Sequence, residues 1–206
     1  DIFLSIVVPA YNEENDLERS IKEIENFFTS KNFNFEIIIV DDGSSDQTAE
    51  IAKNLETASG GKVIFLSYGE NRGKGYALKQ GIMRARGKYI LFTDVDLSAP
   101  LAEFNKFLPE FEAGIDVVIG TRRAAGANIV THQPKYREFL GGIFYKIVFA
   151  FLLKGISDTN CGFKAYEREA ARKIYSKMTI DRWGFDVEAL YIAQKYNLKV
   201  KETPVA

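Results

Sequence analysis

The sequence has very little sulfur and very little histidine. One cysteine, Cys161, stands in 206 residues, so no disulfide can form within the chain. The one histidine is His132, and nothing in the sequence pairs it with the cysteine. Cys161 therefore reads as a small buried residue rather than a nucleophile, and the absence of a second cysteine suits a reducing compartment. An excess of either charge is also missing. The formal net charge is -1, which excludes a nucleic-acid binder relying on overall basicity. Long apolar runs are missing too. The longest, Phe139–Leu153, is broken by Lys146 and followed by Lys154. A spanning helix needs about 20 residues with few charges. Two nucleotide motifs are absent. After Gly73 and Gly75 the next glycine is Gly81, which fails the dinucleotide spacing. The stretch Gly69–Gly75 fails as a phosphate loop, because Gly75 stands where Ser or Thr would bind metal.

What remains is ordinary for one soluble globular domain: 46% apolar residues and 27% charged. Five short apolar runs read as strands: Ile6 to Val8, Ile37 to Val40, Val63 to Leu66, Tyr89 to Phe92 and Val117 to Ile119. They are continuous rather than alternating, as in a parallel sheet buried on both faces. Helical stripes lie between them: Leu17, Ile21, Ile24 and Phe28; Thr48, Ile51, Ala52 and Leu55; Ala77, Leu78, Ile82 and Ala85. Ser44 and Gln47 have capping-box spacing ahead of the second stripe. The order predicts an α/β fold, a Rossmann-like, mostly parallel sheet with helices on both faces. Ligands of such sheets bind beyond the carboxyl ends of the strands.

The polar residues follow that rule. Pro9-Ala10-Tyr11-Asn12-Glu13, Asp41-Asp42-Gly43-Ser44, Asp94-Val95-Asp96 and Gly120-Thr121-Arg122-Arg123 each follow a predicted strand. All four clusters therefore belong to one sheet edge. Asp94 and Asp96 offer oxygen ligands to a hard divalent cation, which would keep positions for phosphates. Taken alone, such a pair is also what a solubilising acidic loop looks like. Arg72 and Lys74 flank Gly73, where they approach a phosphate or simply begin a helix. Residues 122–154 carry six basic residues against Glu138, a local charge of +5. With the apolar stretch at about 135–155, they read as a helix lying in a membrane interface or as a core helix.

At this point the sequence resembles the family 2 glycosyltransferases of GT-A fold, within them the polyprenyl-phosphate sugar synthases. The resemblance covers nearly the whole chain. It rests on Pro9-x-Tyr11-Asn12-Glu13, Asp41-Asp42-Gly43-Ser44, Asn71-Arg72-Gly73-Lys74-Gly75, Asp94-x-Asp96, Gly120-Thr121-Arg122 and Asp158-Thr-Asn-Cys-Gly-Phe-Lys164. The Asn71–Gly75 and Asp158–Lys164 runs and Arg182-Trp183-Gly184-Phe185-Asp186-Val187-Glu188 look more like the dolichyl-phosphate glucosyltransferase branch than the mannose branch.

The resemblance implies the following roles. Pro9, Tyr11, Glu13 and Asp42 line a nucleoside pocket, with Glu13 and Asp42 accepting hydrogen bonds. Asp94 and Asp96 hold Mg²⁺ or Mn²⁺ against the diphosphate. Arg122 and Arg137 hold the phosphate of a lipid acceptor, and Asp158 orients that acceptor or caps its own turn. Trp183 and Phe185 pack in the core. Ser98 and Gly141 stand where the family has Gln and Ser. The chain would be one GT-A domain, 1–121 binding the nucleotide sugar and 122–206 the acceptor. It ends inside a strand pattern, Glu202–Ala206, so a C-terminal continuation is expected outside it. The implied reaction moves glucose from UDP-glucose to dolichyl or polyprenyl phosphate, with inversion, at the cytoplasmic face of a membrane. The alternatives are GDP-mannose as donor, and a polysaccharide hydroxyl as acceptor with Asp186 or Glu188 as general base.

Overall fold

The structure, a computed structural model, describes residues 1–121, 153 and 155–206. The five expected strands are present as β1 Leu4–Ala10, β2 Phe35–Asp41, β3 Val63–Ser67, β4 Tyr89–Thr93 and β5 Val117–Thr121. Two more, β6 Phe163–Glu167 and β7 Val200–Pro204, complete a seven-stranded sheet of order β3-β2-β1-β4-β6-β5-β7. Only β6 breaks the parallel direction, pairing antiparallel with both β4 and β5. Because β6 reverses between them, β4 and β5 point the same way. The carboxyl ends of β1, β2, β4 and β5 therefore share one edge, as the polar clusters required.

The continuous apolar runs are explained by burial on both faces. In β1, Leu4, Ile6 and Val8 face one core and Val7 the other. Each such side chain contributes about 1.5–3 kcal/mol relative to exposure. Helices α1 Leu17–Thr29, α2 Thr48–Ala58 and α4 Phe104–Glu112 cover the first face. Helices α3 Lys74–Arg84, α5 Arg168–Tyr175 and α6 Phe185–Lys195 cover the second. The stripes predicted for α1 and α3 are wholly buried. Helix α3 sits hard on the sheet at Gly81, where a methyl group would lie 2.4 Å from Val7 Cγ1.

One local expectation fails. Ser44 and Gln47 do not form a capping box at α2. Asp46 Oδ1 accepts from Thr48 N instead (3.0 Å), while Ser44 Oγ accepts from Asn12 N (2.9 Å). Ser44 is taken up by the loop after β1, so its spacing to Gln47 has no consequence for the helix.

The amino edge of the sheet is closed by a saturated carboxylate. Buried Glu36 accepts from Ser5 Oγ (2.6 Å) and from Arg86 N, Nε and Nη2 (2.8, 2.9 and 2.6 Å). No lone pair is left there for a ligand.

Candidate functional site

A cleft of about 780 Å³ opens over the carboxyl edge. Of the predicted site residues it collects Pro9, Tyr11, Glu13, Asp42, Lys74, Asp94 and Asp96. From the C-terminal half it adds Asn160, Arg182, Trp183 and Asp186. Arg72 and Asp158 do not line it. Arg122, Arg137 and most of the amphipathic segment lie outside the described residues.

The loops after β1 and β2 are laced together. Asn12 has a left-handed backbone (φ 55), which asparagine tolerates better than most residues, and its Oδ1 accepts from Ser45 N at 2.9 Å. The buried Thr48 Oγ1 accepts from Glu13 N at 2.7 Å. This lacing leaves Tyr11 exposed over the cleft and fixes where the Glu13 side chain begins.

Asp42 departs from its expected role. Its Oδ1 accepts from Tyr68 Oη and Arg72 N (both 2.9 Å), and its Oδ2 accepts from Asn71 Nδ2 (3.0 Å) and Gly73 N (2.8 Å). A carboxylate offers about four lone-pair sites, and protein donors occupy them all. Asp42 therefore works as a bracket that holds residues 71–73 against the cleft, not as an acceptor for a nucleoside. Burial and the hydrogen bond to Asp42 push the Tyr68 phenol well above its ordinary pKa, so it remains a donor.

The bracketed loop separates two cations the sequence treated alike. Gly73 (φ +105) turns the chain into α3, and a side chain there would strike Arg182 Cγ at 2.6 Å. Before the turn, Arg72 is drawn outward. Its guanidinium pairs with Asp181 at 3.0 Å and lies 3.7 Å from the Tyr76 ring centroid. Immediately after it, Lys74 points into the cleft and pairs with Asp94 Oδ1 at 2.6 Å. Lys74 thus lines the cleft, while Arg72 is drawn away from it.

The Asp94–Asp96 turn is tightly set. Leu97 adopts φ 48, unusual for a residue with a Cβ, and its N donates to Asp94 O at 3.2 Å. Val95 is buried, so the two acids flank it toward the cleft. Asp96 Oδ1 accepts from Ser98 N at 2.9 Å. Asp94 Oδ2 lies against Gly162, where a Cβ would fall 2.1 Å away. A side chain at Gly162 would displace this carboxylate. Among the described residues no three His, Cys, Asp or Glu side chains converge as a self-sufficient metal cage. Two carboxylates with open positions suit a hard cation completed by substrate oxygens. Glu13 feels the same acids. Its pKa is raised, first by burial, then by Asp16, Asp96, Asp46 and Asp94. Among the described residues, the cleft is lined by five carboxylates, Glu13, Asp42, Asp94, Asp96 and Asp186, against two cations, Lys74 and Arg182.

The far wall was least legible. Asp158 is buried. Its Oδ1 accepts from Asn160 N at 3.0 Å, and Glu202 holds its own N at 2.8 Å. Asn160, not Asp158, reaches the cleft. Lys164 of β6 stands opposite Phe92 in register and pairs with Asp186 of the cleft wall. Glu188 accepts from Thr179 N, Thr179 Oγ1 and Ile180 N, which ties it to the turn before α6. Trp183 is not in the core: it is 97% exposed at the rim. Gly184 (φ +97) turns the chain at the start of α6, burying Phe185 and leaving Trp183 outside. The run Arg182–Glu188 was visible as a motif, but its burial pattern depends on that turn. Cys161 is buried, as read.

The chain matches Glycosyl transferase family 2 over residues 5–175. It belongs to glycosyltransferase family 2. Among curated proteins, this family 2 chain is 38% identical to the dolichyl-phosphate beta-glucosyltransferase of Dictyostelium discoideum, covering 100% of the chain and 66% of that protein. It is 35% identical to the human dolichyl-phosphate beta-glucosyltransferase, covering 98% and 66%. The chain thus spans about two thirds of the length of these relatives. Its fold is that of the GT-A glycosyltransferases. Glucosyl-3-phosphoglycerate synthase from Mycobacterium tuberculosis, solved with Mn²⁺, UDP-glucose and phosphoglyceric acid, superposes with TM-score 0.68 at 21% identity, covering 98% of this chain and 69% of that one. A mannosyltransferase from Pyrobaculum calidifontis, solved with GDP-mannose and Mn²⁺, gives 0.62 at 20%, covering 98% and 54%.

Proposed function

We propose that this family 2 chain transfers glucose from UDP-glucose to dolichyl or polyprenyl phosphate, inverting an α-linked donor to a β-linked product. The observation that carries the proposal is the convergence of Asp94, Asp96, Glu13 and Lys74 in one cleft. Relatives at 32–38% identity, aligned across that whole cleft, bear the name dolichyl-phosphate beta-glucosyltransferase.

A nucleoside diphosphate meets a cluster of acids here and needs a cation between them. Asp94 and Asp96 would hold Mg²⁺ or Mn²⁺, which when bound supplies Lewis-acid stabilisation of the departing diphosphate. Lys74, which pairs with Asp94, would be placed to reach a diphosphate oxygen instead. Tyr11 packs on the nucleoside, with Glu13 accepting from it. The acceptor phosphate, with a second pKa near 6 like other phosphate monoesters, is already anionic at neutral pH. It needs positioning more than a base. Arg122 and Arg137 would supply bidentate forks for it, and Asp158 fixes the turn that carries Asn160.

One feature speaks against a sugar hydroxyl as acceptor: Glu188 is occupied by the turn at 179–180 and is not a free general base. Asp186 pairs with Lys164 through Oδ1 and still lines the cleft. The basic, apolar stretch 122–154 supports work at a membrane surface, and we assign the cytoplasmic face. No described helix is long and apolar enough to cross a membrane.

The test is transfer of labelled glucose from UDP-glucose to dolichyl phosphate with Mg²⁺ or Mn²⁺, run beside GDP-mannose. Glucose transfer that vanishes in Asp96→Ala is the expected result. Transfer only from GDP-mannose, only to a glycan hydroxyl, or undiminished in Asp96→Ala overturns the corresponding part.

A further inference from the structure

Trp183 is the most exposed large apolar side chain among the described residues, at 97%. A loose turn would explain that, but this turn is not loose. Thr179 N and Ile180 N both donate to Glu188. Asp181 pairs with Arg72, and its carbonyl accepts from Tyr76 N at 3.1 Å. Arg182 Nη2 donates to Asn71 O at 2.8 Å. Phe185 is buried on the other side. A well-anchored turn thus presents an indole to water at the rim of the cleft that contains Asp94 and Asp96. An uncovered ring gains nothing for the fold and a great deal for a ligand that covers it.

The position of this wall indicates which part of the ligand that is. On one flank of Trp183, Arg182 meets Asn71 in the loop bracketed by Asp42; on the other, Asp186 is held by Lys164, whose strand β6 neighbours β4. Tyr11 and Asp42 follow β1 and β2, on the opposite side of β4. With the diphosphate at Asp94 and Asp96 and the nucleoside toward Tyr11, the hexose extends toward β6. There the wall offers an aromatic face from Trp183 and polar groups from Asp186 and Asn160. A hexose has the matching character, an apolar C–H face ringed by hydroxyls.

We propose that Trp183 is the platform on which the hexose of the nucleotide sugar rests, with Asp186 and Asn160 taking its hydroxyls. This rests on the donor reading above. Because Trp183 is the chain's one tryptophan, its fluorescence reports on this site alone. Excited beyond the uridine absorption and titrated with Mn²⁺ and UDP-glucose, it is expected to shift to the blue. Acrylamide quenching should fall by about threefold, as for a surface mostly buried by its ligand. UDP with Mn²⁺ should give much less protection. Trp183→Ala should lower kcat/KM about tenfold, and Trp183→Phe should stay within about threefold of the parent.

Equal protection by UDP and UDP-glucose overturns the platform, because the ring then senses the nucleoside. Protection by vesicles of phosphatidylcholine and phosphatidylserine, with none from UDP-glucose, overturns it in favour of a membrane contact. Calorimetric binding of UDP-glucose with unchanged quenching overturns it while leaving the donor reading intact. Absence of calorimetric binding by any nucleotide sugar overturns both.

Discussion

Two lysine–aspartate pairs flank the Phe92 ring, and they differ in almost everything except their chemistry. Lys74 lies 5.2 Å and Lys164 5.6 Å from the ring centroid. The Lys74 and Asp94 side chains are 43% and 27% exposed, whereas Lys164 is 2% and Asp186 19% exposed. An exposed pair is worth about 0–1 kcal/mol, so its partners exchange readily for others. A buried lysine has no alternative partner and is held to its carboxylate. Lys74–Asp94 therefore reads as a pair made to open when a cation and a diphosphate arrive. Lys164–Asp186 is a permanent part of the wall. Burial, not residue type, separates the moving half of the cleft from the fixed half.

The largest expected effect breaks the fixed pair. Lys164→Met leaves Asp186 without its counter-ion, and unfolding in urea should show a loss of about 3 kcal/mol, the low end for a buried pair because Asp186 keeps one side on the cleft. The double variant Lys164→Met with Asp186→Leu should recover much of it. A loss below about 1 kcal/mol in the single variant would mean the two pairs do not differ.

Lys74→Met should behave in the opposite way. Its stability should change by less than about 1 kcal/mol. Glucose transfer should fall by about a hundredfold, as when one preorganised charge partner of a developing anion is removed. Equal losses of stability in the two lysine variants would erase the contrast.

The smallest effect sharpens the electrostatics on the Asp94 side. Glu13 has a raised pKa, so the folded chain binds its proton more tightly than the unfolded chain does. Above its titration range the ionised Glu13 opposes folding; below that range the effect is absent. Glu13→Gln should therefore melt slightly higher than the parent at neutral pH without cation, and the gap should close as pH falls through the carboxylate range. Added Mn²⁺ and UDP should stabilise the parent more than the variant. A gap that widens on acidification would contradict this sign.

The half of the cleft built from strand ends was readable before any coordinates. Continuous apolar runs identified β1 to β5, and parallel strands put their following residues on one edge for purely geometric reasons. That logic located Pro9, Tyr11, Glu13, Asp94 and Asp96. It failed wherever a neighbour decides what a side chain does. Asp42 looked like Glu13, but four donors from outside its own strand occupy it. Arg72 and Lys74 looked equivalent until Asp181, over a hundred residues away, drew one of them out.

The layered α/β order, the shared edge and the acidic pair that marks the cleft follow from the order of residues, because hydrophobic periodicity and chain direction are local properties. The reversal of β6, the meeting of Lys164 with Asp186, and the exposure of Trp183 beside a buried Phe185 come from the fold. Those outcomes depend on contacts between segments distant in sequence and on one positive-φ glycine, and burial energies that arise across such distances leave no local pattern to read.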